Sequence, residues 1–291
     1  MTLHDRTADV LRYRIEKRLP RMSLSPPAKP APYIYRSLVC ASNLEMGLVS
    51  LASLAACAKA WPKIEMCVDE SISADAVRRF YADHGIHVEV WTPFDLMARL
   101  NATAEDLLRR FAERYFWGRK SAFTFGTHEK LTILYADLDI LWYQDPWTAL
   151  GLPQVDSLLS AEDSHFSYDK EFIAILSPEH RELLLGRPAY CAGLYAVPPG
   201  YRLPEVVLRY LSTKLDGTPD GYRYEDTCSI EQACLGLATK LSGHGIPWLT
   251  LPTCPNEFPW FRRVRRDGRV AAHYAGPTRR QFWRDAWSLL S

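Results

Sequence analysis

Near the middle of the chain, in ILYADLDILWYQDPW (133–147), two carboxylates stand two residues apart, Asp137 and Asp139. Their neighbours Ile133, Leu134, Ile140, Leu141 and Trp142 are apolar, as in a buried strand. Positions i and i+2 of a strand face the same side, so the spacing predicts both carboxylates aimed at one spot, with Leu138 turned away. Two unpaired carboxylates in such surroundings are costly or take up a proton. A divalent cation removes that penalty. Carboxylate oxygens suit a hard ion, Mn²⁺ or Mg²⁺, with coordination positions left for phosphate oxygens. About one Asp-x-Asp is expected by chance in 291 residues of this composition, so the tripeptide means little and its placement carries the inference.

The elements that must position this pair can be read from the apolar periods. From Tyr33 onward, short apolar runs (SLVC, IEMCVD, HVEVW) alternate with helical segments at 43–60, 74–84 and 104–117, a βαβαβ pattern. Ser73 and Thr103 supply helix-start signals, and Leu107, Leu108, Phe111 and Tyr115 share one helical face. The expected fold class is α/β, a mixed central sheet flanked by helices, with crossover connections in its parallel part. The run KLTILYADLDILW is the next strand, and ligands of open α/β sheets sit beyond strand carboxyl ends. After Pro146 the pattern is irregular, with strands expected at 155–160 and 192–197 and helices at 204–214 and 226–238. Residues 25–32, SPPAKPAP, read as an extended linker. The predicted organisation is therefore a basic helix and Pro-rich linker over 1–32, then a domain over 33–291 with halves at 33–147 and 148–291.

Composition removes other classes. A chain of this length should bury roughly 75% of its unfolded surface, so no metal or disulfide is needed to hold it together. The 35 Lys+Arg against 34 Asp+Glu, net +1, lack the positive field of a nucleic-acid binder. Hydrophobic and charged contents of 47% and 24% exclude a disordered chain. The seven cysteines form no C-x-x-C pair, which argues against a disulfide framework or zinc ribbon. The N-terminal MTLHDRTADVLRYRIEKRLPRM has no apolar core flanked by small residues, which predicts a cytoplasmic location. The stretch MGLVSLASLAACAKAW (46–61) is too short and interrupted to span ~30 Å of hydrocarbon, leaving peripheral membrane contact through basic segments as the membrane expectation.

The strand YADLDILW after three βα units resembles the Asp-x-Asp motif of the GT-A-fold, nucleotide-sugar-dependent glycosyltransferases. HYAGPTRRQFW (273–283) is similar to the C-terminal His-x-x-Gly-Pro-x-Lys-Pro-Trp signature of the retaining galactosyltransferase and glycogenin group, family eight. The resemblance implies that His273 joins Asp137 and Asp139 as a metal ligand. It also implies that Arg279, in place of the family's lysine, touches the diphosphate, with Leu138 and Gly276 beside the donor. Arg keeps the charge and adds bidentate phosphate geometry. CAGLYAV (191–197) resembles the family strand that approaches the donor sugar, with Gly193 in the close position and Cys191 where asparagine is usual. EDTCSIEQACLGL (225–237) resembles the Asp-Gln helix start, which maps Glu231 and Gln232, with Asp226 competing for the acid, onto the catalytic positions. KSAFTFG (120–126) resembles the lysine-led helix that contacts nucleotide, marking Lys120, and ASN (41–43) occupies the base-binding loop, marking Ala41, Ser42 and Asn43.

The implied reaction moves a sugar from a nucleotide diphosphate, a UDP-sugar being the first expectation, to a glycan, lipid-linked or protein acceptor. Negative charge building on the departing diphosphate is neutralised by a cation and Arg279. Gln232 would serve a same-face, oxocarbenium-like displacement. Asp163, Glu225, Asp226 and Glu231 are candidates for acceptor positioning, and the run FRRVRRDGR (261–269) for an anionic group. A ligating histidine must be neutral, so activity is expected to fade as pH falls through about 6.5. Trp142, Trp147, Trp260, Phe261 and Trp283 are candidates to stack on a sugar face. Two other readings compete. A haloacid-dehalogenase-like, Mg²⁺-dependent phosphatase also uses Asp-x-Asp after an apolar strand, normally the first strand. A non-catalytic carbohydrate- or nucleotide-binding protein of the same fold would explain Cys191. A nucleotidyltransferase would need a Gly-rich phosphate loop after the first strand, and ASNLEMG is not one.

Overall fold

The computed structural model describes residues 3–102, 105–163, 168–217, 228–242, 269–275 and 279–290. In chain order its elements are α1 (Leu3–Arg18), β1 (Pro30–Val39), α2 (Leu44–Cys57), β2 (Trp61–Val68), α3 (Ala74–Asp83), β3 (Glu89–Trp91), α4 (Pro93–Ala102), α5 (Asp106–Arg114), α6 (Gly118–Phe125) and β4 (Thr132–Ala136). There follow β5 (Ile140–Trp142), α7 (Pro146–Ala149), β6 (Leu159–Asp163), α8 (Lys170–Ile175), α9 (Pro178–Leu185), β7 (Ala189–Val197), α10 (Glu205–Gly217), α11 (Cys228–Leu241), β8 (Ala271–His273) and α12 (Arg279–Leu290). The chain is of mixed α/β class, as its periods predict. It forms two compact units. The first comprises the described residues of Met1–Thr92, Ala136–Gln154 and Leu251–Ser291, the second those of Pro93–Tyr135 and Val155–Thr250.

In the first unit, β1, β2 and β3 pair in parallel, in the order β3-β2-β1, with Leu38 opposite Cys67 and Met66 opposite Val90. Seven successive residues of β1, 33–39, are buried, the run expected of a parallel strand covered on both faces. The strand starts earlier than the sequence suggests: Pro30, assigned above to a linker, already pairs with Trp61. Proline is tolerated there because the first residue of a strand need not donate to the ladder. Helix α2 is buried from Met46 through Leu54, so it is apolar all round rather than striped. Ser73 caps α3 as predicted, its side chain accepting from the Ala76 N–H at 3.2 Å.

Two further pairings complete this unit. β5 and β8 form an antiparallel ribbon, with Ile140 opposite His273 and Trp142 opposite Ala271. Helix α1, read above as an appendage, lies along α12 with Ile15 and Leu19 buried. Its Arg12 and Arg18 stand over the rings of Trp283 and Trp287, at 5.5 and 4.3 Å. The partners are more than 260 residues apart, so no local pattern announces the contact.

The second unit holds β4, β7 and β6, in the order β4-β7-β6, with β6 and β7 antiparallel. A register shift between Ser160 and Ala161 sets Ala161 against Cys191, and β7 is buried along its whole length. Helix α5 is shorter than the predicted 104–117 segment because Tyr115 is already extended (φ −133°, ψ 132°). Leu108, Phe111 and Tyr115 are nonetheless buried, as their shared face requires.

Candidate functional site

The acidic pair is brought together differently from the sequence expectation. β4 stops at Ala136, and Asp137, Leu138 and Asp139 form the link to β5 at its carboxyl end. The two carboxylates therefore converge through a tight turn, not by alternating along one strand. Leu138 is buried as expected, and α2 presents Gly47 beside it. A Cβ at position 47 would lie 3.0 Å from Leu138 Cδ1 and overlap the Tyr81 hydroxyl. The surroundings are dry: burial pushes the nearby Tyr35 hydroxyl up to about 12, with Asp137 and Asp139 adding to the rise.

The β5/β8 ribbon supplies the third group. Because Ile140 pairs with His273, and the Tyr274 N–H donates to the Asp139 carbonyl at 2.9 Å, the imidazole is delivered beside the acidic turn by backbone hydrogen bonds. His273 Nε2 lies 3.1 Å from Asp139 Oδ1 and 3.7 Å from Asp137 Oδ2. One ligand atom from each of the three residues falls within 4.8 Å of the others. Asp139 is 3% exposed. Burial alone would raise its pKa, but His273 and Arg279 outweigh that effect and hold the carboxyl well below the usual range. Arg279 opens α12 and donates from Nε to Asp139 Oδ2 at 3.0 Å, while its side chain stays 56% exposed.

These residues fit a divalent cation. Asp139 Oδ1 is buried without hydrogen-bond geometry to any partner, although His273 Nε2 is only 3.1 Å away. Ligand atoms about 2.1 Å from a shared ion sit about 3.0 Å apart at adjacent octahedral corners and about 4.2 Å apart at opposite ones. The separations of 3.1 and 3.7 Å lie in that interval. Two carboxylate oxygens and a nitrogen make a hard-to-borderline donor set.

The other sequence-derived residues fall in several places. Ala41, Ser42 and Asn43 form an exposed turn at the carboxyl end of β1. It is tied down by Asn43 Oδ1 accepting from Cys40 N at 2.8 Å and by Ala41 N donating to Ser71 Oγ at 2.9 Å. In the second unit Lys120 and Glu231 are both buried and ion-paired, Nζ to Oε1 at 3.4 Å, with Lys120 Nζ 4.7 Å from the Tyr135 ring centre. Gln232 donates to the Tyr190 carbonyl at 3.0 Å, so its amide holds β7. Gly193 is buried in β7 and donates its N–H to Cys191 Sγ at 3.2 Å. Asp226, Gly276, Glu225, Trp260, Phe261 and most of the arginine-rich run lie outside the described residues, as does the Asp163 side chain. Trp142 and Trp283 are buried, and Trp147 stacks on Tyr33, 5.5 Å between centres at 7°.

The fold resembles solved glycosyltransferases. It is similar to mouse xyloside xylosyltransferase 1 in its apo form, with TM-score 0.54 and 11% identity over 86% of this chain and 99% of that one. It is similar also to an active-site mutant of LgtC, with TM-score 0.50 and 13% identity over 89% and 96%. The fold is the GT-A fold. No protein-family model and no curated sequence matches the chain. On a GT-A fold the acidic turn stands where open α/β sheets bind ligands, past the end of a strand. The phosphatase reading gains nothing from the structure: β1, the first strand, ends in Val39 with no carboxylate following.

Three participants escaped sequence reasoning. Tyr274 donates to Asp285 Oδ2 at 2.9 Å and meets the Tyr143 hydroxyl at 2.9 Å, joining β8, α12 and the end of β5 next to the cation ligands. A tyrosine directly after the motif histidine was the one available signal.

Proposed function

We propose that this protein is a divalent-metal-dependent glycosyltransferase that moves a hexosyl group from a nucleotide-diphosphate sugar, a UDP-sugar, to a glycan, lipid-linked or protein acceptor with retention of configuration. The observation that carries the proposal is the convergence of Asp137, Asp139 and His273 within 4.8 Å, with Arg279 on the same carboxylate. The two similar structures, a xylosyltransferase and the galactosyltransferase LgtC, support the reaction class.

Asp137, Asp139 and His273 would hold Mn²⁺ or Mg²⁺, which when bound neutralises charge on a departing diphosphate. Arg279 has a guanidinium fork with one nitrogen on Asp139 and the rest free for phosphate oxygens, because its side chain is largely in solvent. The 41–43 turn offers exposed polar groups for a nucleoside, and its tethers fix it before any ligand arrives. Asp139 keeps its charge through the physiological range, so this carboxylate need not lose a proton to take up the cation. The catalytic roles of Gln232, Glu231 and Asp226, and the donor contacts of Lys120, Leu138, Gly193 and Gly276, belong to the same proposal.

The test is a thermal-shift panel of UDP, GDP and ADP with and without Mn²⁺. A ligand bound by the native state alone at a hundredfold over its Kd adds about 2.7 kcal/mol, which raises the melting temperature by several degrees. UDP with Mn²⁺ is expected to give the largest rise. No rise with any nucleotide diphosphate in the presence of Mn²⁺ overturns the proposal.

A further inference from the structure

The first unit carries a second feature that the cation site does not use. The outer side of α1 and the turn after it presents Val10, Tyr13, Arg14, Lys17, Arg18 and Arg21, spaced i, i+3, i+4, i+7, i+8 and i+11, which is one helical face. Ile15 and Leu19, on the opposite side, are buried. Val10 and Tyr13 are 49% and 55% exposed, two of the few large apolar side chains so open to water among the described residues. Arg14, Lys17, Arg18 and Arg21 face no carboxylate among the described residues. Glu16, on the flank of the helix, is taken by Arg12 at 2.5 Å.

Two of the cations lie instead on rings. Lys17 Nζ is 4.6 Å from the Tyr13 centre and Arg18 is 4.3 Å from Trp287. Beside them is a cavity of about 300 Å³ lined by apolar side chains, Trp287 and Leu290 among them, together with Lys17, Arg18 and Arg21. The whole chain carries a net charge of only +1, so this concentration of cations is local. An exposed helix face with four uncompensated cations, two open apolar side chains and an aromatic-floored cavity has the chemistry of an interfacial membrane helix. Tyrosine and tryptophan favour the head-group level, and lysine and arginine meet lipid phosphates there.

We infer that this face docks the protein on an anionic phospholipid surface, with head-group phosphates on Arg14, Lys17, Arg18 and Arg21 and with Val10 and Tyr13 among the head groups. The inferred contact is a peripheral one, and no helix among the described residues is long and apolar enough to cross a membrane. Each cation near an anionic surface multiplies the partition coefficient about fivefold. Four together set a several-hundred-fold preference, which salt screens.

The test is co-sedimentation of the full chain with phosphatidylcholine vesicles, with and without phosphatidylserine, at low and high salt. The wild type is expected to pellet only with phosphatidylserine and to be released by salt. The combined Arg14→Gln, Lys17→Gln, Arg18→Gln, Arg21→Gln variant is expected to bind several-hundredfold more weakly while still unfolding cooperatively. Replacing the three arginines by lysine should preserve binding, and Val10→Ser with Tyr13→Ser should weaken it severalfold. If the fourfold variant fails to fold, Arg14→Gln with Arg21→Gln, which removes neither ring contact, should still lower binding by about twenty-five-fold. Wild type that stays in the supernatant, equal binding to phosphatidylcholine alone, or a folded variant that binds as well as wild type overturns the inference. So does a melting shift with inorganic phosphate without vesicle binding, or a concentration-dependent dimer that the same substitutions abolish.

Discussion

In the second unit Lys120 and Glu231 bury one positive and one negative charge 3.4 Å apart, with the ammonium also close to the Tyr135 ring. In the first unit Asp139 is buried just as deeply, yet one of its oxygens lacks a hydrogen-bond partner while the other is held by Arg279. The contrast separates a charge cluster that satisfies itself from one whose geometry calls for an added cation. Depth of burial does not distinguish them. What does is the pairing of each polar atom, because a matched pair can be stable alone while a carboxylate oxygen without a donor is costly in a dry place.

Breaking the open cluster should have the largest effect. Asp139→Ala is expected to lower Mn²⁺-dependent sugar transfer by about a thousandfold or more and to abolish the Mn²⁺-dependent rise in melting temperature with UDP. A variant that still responds to Mn²⁺ like the wild type would move the cation elsewhere. The closed cluster should answer in stability. Lys120→Met removes the cation paired with the buried Glu231 carboxylate and is expected to cost about 3–5 kcal/mol in urea unfolding, most of it recovered on adding Glu231→Leu. A silent single variant would mean the pair is not what satisfies Glu231.

Smaller effects sharpen the contrast. Arg279→Ala should weaken donor affinity about tenfold to a hundredfold, read from KM, with a stability change below about 1 kcal/mol because its ion pair is half in solvent. Tyr274→Phe removes the hydroxyl that ties β8 to α12 and should cost about 1 kcal/mol, measured by thermal unfolding with and without Mn²⁺. The smallest signal is a pH dependence. A carboxyl whose folded pKa is depressed adds stability above its ordinary pKa of about 3.9 and loses it as pH falls further. The metal-free wild type should therefore show an acid-side loss below pH ~4 that Asp139→Asn lacks.

How much of this was readable in the residues depends on whether the deciding interaction is local. The parallel strands and their crossover helices are local, and the periods around β1, β2 and β3 exposed them. The acidic link was only half readable. YADLDILW is apolar on both sides of the carboxylates, so nothing in its period separates one continuous strand from strand, turn and strand. His273 was legible through the motif around it, but its route to Asp139 depends on the β5/β8 ribbon, whose two strands are about 130 residues apart. The docking of α1 on α12 belongs to the same class of long-range pairing. In the second unit Lys120 was marked as a nucleotide contact because KSAFTFG resembles a family helix, whereas its buried ion pair with Glu231, more than a hundred residues along the chain, left no local signal.

Gly47 carries a last consequence. It sits on α2, supplies no reactive atom, and matters because Leu138 and the Tyr81 hydroxyl occupy the space its side chain would need. Even a methyl group there would push on the middle residue of the Asp137–Asp139 link, so the damage would surface first as a loosened grip on the cation. A survey of substitutions scored by turnover would then rank a bystander glycine among the reactive groups, and only its intact chemistry at saturating Mn²⁺ would reveal it as a spacer.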